Sequence, residues 1–454
     1  MFTSKDFYRS VWRWHFFAGL YVVPFLLMLA VTGLVMIFDP IIERVQHGDL
    51  YQVAEVSDTP LTYEAQYQLV ADAYPASPIQ RLYVSDNAND ATRFQVTVEG
   101  DTRSVFVDPY QGKVLGDISI SDSWYVWADD THGTFMMGLT GDWLIEIAIS
   151  FTVLLIITGV FMWWPRAGQS KWRAATRLQG KGRTFWRDLH SIIGVWVAVI
   201  LLFFSISGLS WTSVWGDKLV QAWSTFPMEN SARNVSSTLT HEDLNPKGVK
   251  QIPWNLEQAP LPESSVDSHS SAIFGEDTIT LDQVVSNAKS LGFTRFQLHF
   301  PQGKTGVYTA TASTMGRDIN NALDDRTVHY DRYSGVVVAD VGFMDYNWFA
   351  KSMAFGIALH MGQFGVWNLV ACTLFCLSVI LLSLSGVVMW WKRRPTNALA
   401  APPMPKNLKR WKHAVWLLLP ISLLFPMATL GILVVLVADG LILLCVPKLR
   451  RIWA

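Results

Sequence analysis

The chain has 454 residues, enough for about three domains at roughly 150 residues each. Half of it is hydrophobic and only 16% is charged, against roughly 25% in an average soluble domain. That composition excludes a disordered chain, 36 Lys+Arg against 37 Asp+Glu leave no basic excess for nucleic acid, and three Cys cannot build a disulfide scaffold.

The charges are unevenly placed. Apart from the terminal His190, the stretches 16–38, 143–164, 190–211 and 366–391 hold one ionisable side chain between them, Glu146. Each predicts a helix able to cross a hydrocarbon layer of roughly 30 Å. Trp12/Trp14, Trp163/Trp164 and Trp390/Trp391 stand at span ends, where indole rings suit the headgroup level. The first span has no small-residue cleavage site and reads as an uncleaved anchor.

In chain order the sequence predicts a first transmembrane helix at 8–38 and an external α+β domain at 39–131. A second transmembrane helix with a short pre-helix follows at 132–166, then a basic loop at 167–187 and a third transmembrane helix at 188–212. A second external domain occupies 213–350, with an insertion at 230–277 rich in Ser, Pro and Asn that predicts loops over the surface. The fourth transmembrane helix, again with a pre-helix, is at 351–395, followed by a basic linker at 396–412. The last segment, 413–447, contains Pro420, Pro426 and Asp439 and predicts a hydrophobic hairpin or a broken, tilted helix.

Charge also sets orientation. Residues 165–188 carry seven Lys/Arg and one acid, and 392–412 carry seven and none. By contrast, 39–130 carry 16 Asp/Glu against five Arg/Lys, and 213–346 carry 16 against ten. Positive segments stay in the cytoplasm, so the N-terminus is expected inside and both acidic segments outside.

The chain reads as a duplication. His15 lies 18 residues before Gly33, as His190 does before Gly208, and "GDWLIEIAISFTVLLIITGVFMWWPR" parallels "GVWNLVACTLFCLSVILLSLSGVVMWWKRRP". Outside the spans, "VDPYQGKV" answers "YDRYSGVV", and each Asp-x-Tyr-x-Gly predicts a turn between strands with its Gly at positive φ. The fold class expected is therefore an α-helical membrane protein, an internally duplicated four-helix core with two external α+β domains and the C-terminal segment.

Four of the ten His occupy matching places. His15 and His190 begin inward-facing span ends; His132 and His360 precede the outward-facing ends of the second and fourth spans. Pseudo-symmetry would bring His15 towards His190 and His132 towards His360, the arrangement that a b-type haem with two axial imidazoles needs. Zinc or copper is a rival use of His. Met136 and Met361 are near enough in sequence to be alternative ligands. Arg13 and Arg187, just before their His, are candidates to pair with haem propionates, with positive-inside anchoring as the plainer reading. Glu146 is a functional candidate because it is ionisable within a span. Cys372 and Cys376 read as packing residues, and most of His47, His241, His269, His299, His329 and His413, which have no counterparts in the repeat, as solvated ones.

"RWHFFAG", "RDLHSIIGVW", "LHMGQFG" and the "GVxMWW" endings resemble the membrane motifs of the PepSY-associated transmembrane helix family, and "VFVDPYQGKVLG" resembles the PepSY domain. The resemblance covers about residues 8–395. It implies similarity to bacterial inner-membrane ferric-siderophore reductases, with two b-type haems held by His15, His190, His132 and His360, one near each membrane face. The expected activity is reduction of an external ferric chelate or siderophore to release Fe(II). No G-x-G-x-x-G or separate nucleotide domain occurs, so a cytoplasmic partner or quinol is the expected electron donor. The alternative is a non-enzymatic binding module, with paired external domains on a helical anchor holding a peptide, a peptidase or another envelope protein.

Overall fold

The computed structural model describes residues 5–165, 170–220 apart from 177 and 179, 237–264 apart from 247 and 248, 278–394, 402 and 422–433. The hairpin or broken helix expected at 413–447 lies mostly outside the described residues, as do His269 and His413. Along the chain come α1 (Lys5–Tyr51), α2 (Tyr63–Ala73), β1 (Ile79–Val84), β2 (Thr92–Val98), β3 (Asp101–Asp108), β4 (Lys113–Ser119), α3 (Trp124–Thr134) and α4 (Leu139–Trp163). The second half adds α5 (Lys171–Thr176), α6 (Arg183–Leu209), α7 (Leu281–Ser290), β5 (Phe296–His299), β6 (Tyr308–Ala312), β7 (Arg326–Tyr330), β8 (Val337–Gly342), α8 (Trp348–His360) and α9 (Gly365–Arg393). Among the described residues four helices are long and apolar enough to cross a membrane: α1, α4, α6 and α9. The protein is a multi-pass membrane protein.

Two compact units divide the chain. The first comprises residues 1–34, 129–222 and 372–454 and holds most of the apolar helices. Ala18 and Val22 of α1 pack there with Ile145, Ile149, Val153 and Leu154 of α4, while Ala30, Leu201, Phe375 and Val379 join α1, α6 and α9. Phe204 stacks on Phe375 with centroids 4.2 Å apart. Many outward residues, such as Val199 and Leu374, stay exposed because the bilayer is their solvent. Glu146 is 1% exposed and accepts from the backbone N–H groups of Val214 and Trp215, and Asp142 accepts from Ser213. The two carboxylates thus accept the free backbone N–H groups at the start of the helical turn Trp215–Val220 that follows α6, which is a structural task.

The second unit, 35–128 and 223–371, is built on an eight-stranded antiparallel sheet ordered β4-β3-β2-β1-β5-β6-β7-β8. Each half is a meander, and β1 pairs with β5 at the centre. One face is apolar: Val105, Phe94, Leu82, Leu298, Ala310 and Val328 form a fully buried cross-strand row under Val70 of α2 and Leu281, Val284 and Val285 of α7. Each large side chain removed from water there contributes about 1.5–3 kcal/mol. Thr62 and Thr280 cap α2 and α7 by accepting from Ala65 and Gln283. The two Asp-x-Tyr-x-Gly pieces make the same turn: Asp108 accepts from the N–H of Tyr110 and Gln111, Asp331 from those of Tyr333 and Ser334, with Gly112 at φ 65 and Gly335 at φ 68.

The opposite face of this sheet is polar and mostly buried. One row across it reads Ser104, Gln95, Arg81, His299, Thr309 and His329; the next reads Phe106, Arg93, Tyr83, Gln297, Thr311 and Thr327. Here two sequence expectations change. The described part of the insertion, 237–264, does not lie loosely on the surface: Leu244, Ile252, Leu256 and Leu261 are buried against Ala339, Val341 and Phe343. It supplies partners that a buried polar face requires, since Arg81 donates to Gln251 and to the Leu244 carbonyl. His241, His299 and His329 are buried rather than solvated. His241 Nδ1 donates to the Ala259 carbonyl and its Nε2 lies 3.1 Å from His329 Nε2. Burial moves His241 down to about 4, and pushes His299 and His329 below the usual imidazole range too.

α1 also runs further than expected. It passes Phe38 and Pro40 as far as a kink at His47 (φ −132, ψ 28), after which a last turn leads to Tyr51. Tyr51 there packs on Phe106, with ring centroids 4.8 Å apart.

Candidate functional site

His15, in the first turns of α1, and His190, in the first turns of α6, face one another with ring centroids 6.3 Å apart and planes at 88°. Each ring is held through Nδ1 by a hydroxyl on another helix. His15 Nδ1 is 2.9 Å from Thr158 Oγ1 of α4. His190 Nδ1 is 3.0 Å from both Ser385 Oγ and the Leu382 carbonyl of α9. The hydroxyl protons are already used: Thr158 donates to the Leu154 carbonyl at 2.7 Å and Ser385 to that of Leu382 at 2.7 Å. The Leu382 carbonyl can only accept, which assigns Nδ1–H to His190, and the Thr158 bond to the Leu154 carbonyl favours the same tautomer in His15, leaving Nε2 with the lone pair.

That is the state an axial ligand requires, with the second nitrogen donating to a fixed acceptor. Two imidazoles on opposite sides of one metal, each with a bond of about 2.0 Å, place their centroids roughly 6 Å apart. The pair meets this separation. The residues present would fit a haem held by both imidazoles.

His132, near the end of α3, repeats the arrangement. Its Nδ1 lies 2.8 Å from Thr32 Oγ1 of α1, and Thr32 donates to the Met28 carbonyl at 2.8 Å. Thr32 lies 17 residues along α1 from His15, about 26 Å, so the two histidine positions sit near opposite ends of a span. Space for each ring comes from glycine. A Cβ at Gly159 would meet His15 Cε1 at 3.2 Å, one at Gly386 would meet His190 Cε1 at 3.5 Å, and one at Gly33 would meet His132 Cε1 at 3.8 Å. Hydroxyl and glycine are adjacent each time: Thr32-Gly33, Thr158-Gly159 and Ser385-Gly386. α6 carries the same dipeptide, Ser207-Gly208, with Ser207 donating to the Phe203 carbonyl. Sequence reasoning noted only some of these glycines; a Thr/Ser-Gly dipeptide in all four spans was the signal for the hydroxyls.

The other candidates are placed as follows. His360 ends α8 in the second unit, and Met361 caps that helix. Met136 is 60% exposed with φ 56, in the break between α3 and α4. Arg13 donates to the Pro402 carbonyl and lies over the Phe17 ring, and Arg187 pairs with its neighbour Asp188 at 2.7 Å. Cys372 and Cys376 are buried among apolar side chains. Among the described residues no group of three or more His, Cys, Asp or Glu is arranged to hold a metal ion.

The second unit holds a cavity of about 270 Å³ on the polar sheet face, walled by Tyr83, Arg93, Ser104, Gln251, Arg317 and Asp318 and by Asp39 and Glu43 of α1. Sequence reasoning did not find it, because its walls come from segments more than 250 residues apart. Arg317, at φ 60, bonds Asp39 at 3.1 Å and lies over the Tyr125 ring. Burial raises the Asp318 carboxyl to about 7 against the N–H of Ser313 and the amide of Gln297, which pull it down.

No curated protein matches the chain. A family model does, that of the PepSY-associated TM region, over residues 12–393. The match takes in the four apolar helices and the extramembrane sheet, and the chain belongs to this PepSY-associated transmembrane family.

Proposed function

We propose that this chain is a haem-containing electron-transfer protein of the bacterial inner membrane that reduces an external ferric chelate, such as a ferric siderophore, to release Fe(II). The observation that carries the reading is the facing pair itself: His15 and His190 lie 6.3 Å apart between ring centroids, each held through Nδ1 by a partner on another helix, which supports Nε2 as the ligating nitrogen. A plain interfacial histidine needs neither a partner on another helix nor a facing imidazole. A b-type haem held there supplies a one-electron carrier inside the bilayer.

The chain's own residues orient and insulate. Thr158, Ser385 and the Leu382 carbonyl hold the rings, while Gly159 and Gly386 leave them room. The apolar packing of α1, α4, α6 and α9 keeps water away. His132, held by Thr32, is the candidate ligand for a second haem, and the sequence repeat nominates His360 with it. The basic 165–188 and 392–412 segments support a cytoplasmic N-terminus, and the electron donor would be a cytoplasmic or quinol partner. The matching order of helix cap, meander and Asp-x-Tyr-x-Gly turn in the two halves supports a duplication with two PepSY-like domains.

The test is an absorption spectrum of the purified protein before and after dithionite. Reducible haem bands are expected. His15→Ala or His190→Ala should remove one centre, and His132→Ala or His360→Ala the other. A colourless protein from cells well supplied with haem contradicts the reading and leaves the binding-module alternative.

A further inference from the structure

The polar cavity is lined by a guanidinium whose hydrogen-bond donors the fold leaves unused. Arg93 of β2 is half-buried, and its guanidinium lies over the Tyr83 ring, 3.6 Å from the centroid. Among the described residues its guanidinium makes no hydrogen bond or ion pair. The nearby carboxylates take their hydrogen bonds elsewhere: Asp39 from Arg317, Glu43 from the Tyr51 hydroxyl, and Asp318 from Gln297 and the Ser313 N–H. The planar fork of Arg93 therefore keeps its donors for the cavity that it lines. The charge itself is favoured by Glu43 and Asp318 nearby, but the guanidinium's hydrogen-bond donors meet no protein acceptor among the described residues, and the cavity it lines leaves room for a ligand's acceptor.

We propose that Arg93 anchors a binding site for a small carboxylate in this cavity. The planar fork matches a carboxylate through two parallel hydrogen bonds. Asp39, Glu43 and Asp318 in the same walls would repel a phosphate dianion more strongly than a single carboxylate. Tyr51 and Phe106 offer apolar ring surface to the ligand's body. At about 270 Å³ the cavity is just below the small end of ligand pockets, roughly 300–1,000 Å³, so the ligand is compact. The inference stands on the cavity alone and does not depend on haem.

The test is calorimetric titration of the full chain in lipid nanodiscs with benzoate, with its neutral analogue benzamide, and with inorganic phosphate. Benzoate should bind saturably, and benzamide at least ~10-fold more weakly, the difference expected for hydrogen bonds to a charged group. Arg93→Gln should reduce benzoate to the benzamide level, and Arg93→Lys should fall between, keeping the charge but losing the fork. Ser104→Phe, which fills the cavity from β3 without touching the guanidinium's chemistry, should abolish binding. The proposal is overturned by wild-type benzoate affinity in Arg93→Gln, by equal affinity for benzamide, by tighter binding of phosphate, or by the absence of saturable benzoate binding.

Discussion

Arg317 donates from Nη2 to the carbonyl of Met36 at 2.7 Å, taking the place of a backbone donor that α1 lacks. In an α-helix that carbonyl would accept from the N–H of residue 40, which is proline and has none. The guanidinium also binds Asp39, so one side chain mends the helix and neutralises the acid beside the gap. This is why α1 continues through Pro40 as far as its kink at His47.

Arg317→Ala should destabilise the second unit by about 1–3 kcal/mol, the usual range for leaving a buried acceptor unsatisfied. Adding Pro40→Ala restores an N–H to Met36 and should recover part of the loss in thermal unfolding. An equal effect of Arg317→Ala with and without Pro40 would show that the carbonyl bond is unimportant.

Much of the fold is legible in the sequence, for local reasons. A run without charges in Val366–Trp391 can only be a span, and Asp331, Tyr333 and Gly335 dictate a turn through their own backbone bonds. What the sequence hides is made by distant partners. Pro40 locally predicts a helix end, and the residue that overrides it lies 277 positions later. His329 reads as a solvated histidine until Thr309 and His241 are brought to it by strand pairing and by the insertion. At the candidate site, repeat spacing pointed to His15 and His190, whereas Thr158 and Ser385 are ordinary span residues until the helices are packed.

Thr158→Val keeps the shape of the side chain but removes the acceptor that fixes His15. Loss of such a supporting bond typically weakens a bound metal by about 10–100-fold. Haem occupancy of one centre should fall, and Thr158→Ser, which keeps the oxygen, should restore it. Identical haem spectra and retention in Thr158→Val would count against the tautomer argument.

Gly159→Ala separates helix stability from the site. Alanine favours a helix interior over glycine by about 0.8–1.0 kcal/mol, so α4 should not lose stability. Its Cβ would nevertheless stand 3.2 Å from His15 Cε1 and push the ring. A normally folded protein with a diminished or shifted inner haem signal is expected, read by circular dichroism and absorption together.

Burial raises Asp325 to about 7, against the hydrogen bonds from Thr314 that lower it. A carboxyl raised in the folded state contributes stability that is full below its unfolded value near 3.8 and is lost as pH rises through about 7. Asp325→Asn keeps an acceptor for Thr314 and should raise the melting temperature at pH 8 more than at pH 5. His241, lowered to about 4, works in the opposite direction, its contribution being lost as pH falls from 6.5 towards 4. A pH-independent effect of Asp325→Asn would contradict the burial argument.

The central claim is that His15 and His190 are the two axial ligands of one haem. Its most direct measurement is the haem-to-protein ratio, by pyridine haemochrome assay, in the wild type, in His15→Ala and in the double variant His15→Ala/His190→Ala. Each of the two variants should lose the same single haem relative to wild type, because the second substitution removes a ligand from a centre already gone. A ratio unchanged by His15→Ala, or a further haem lost in the double variant, would contradict it.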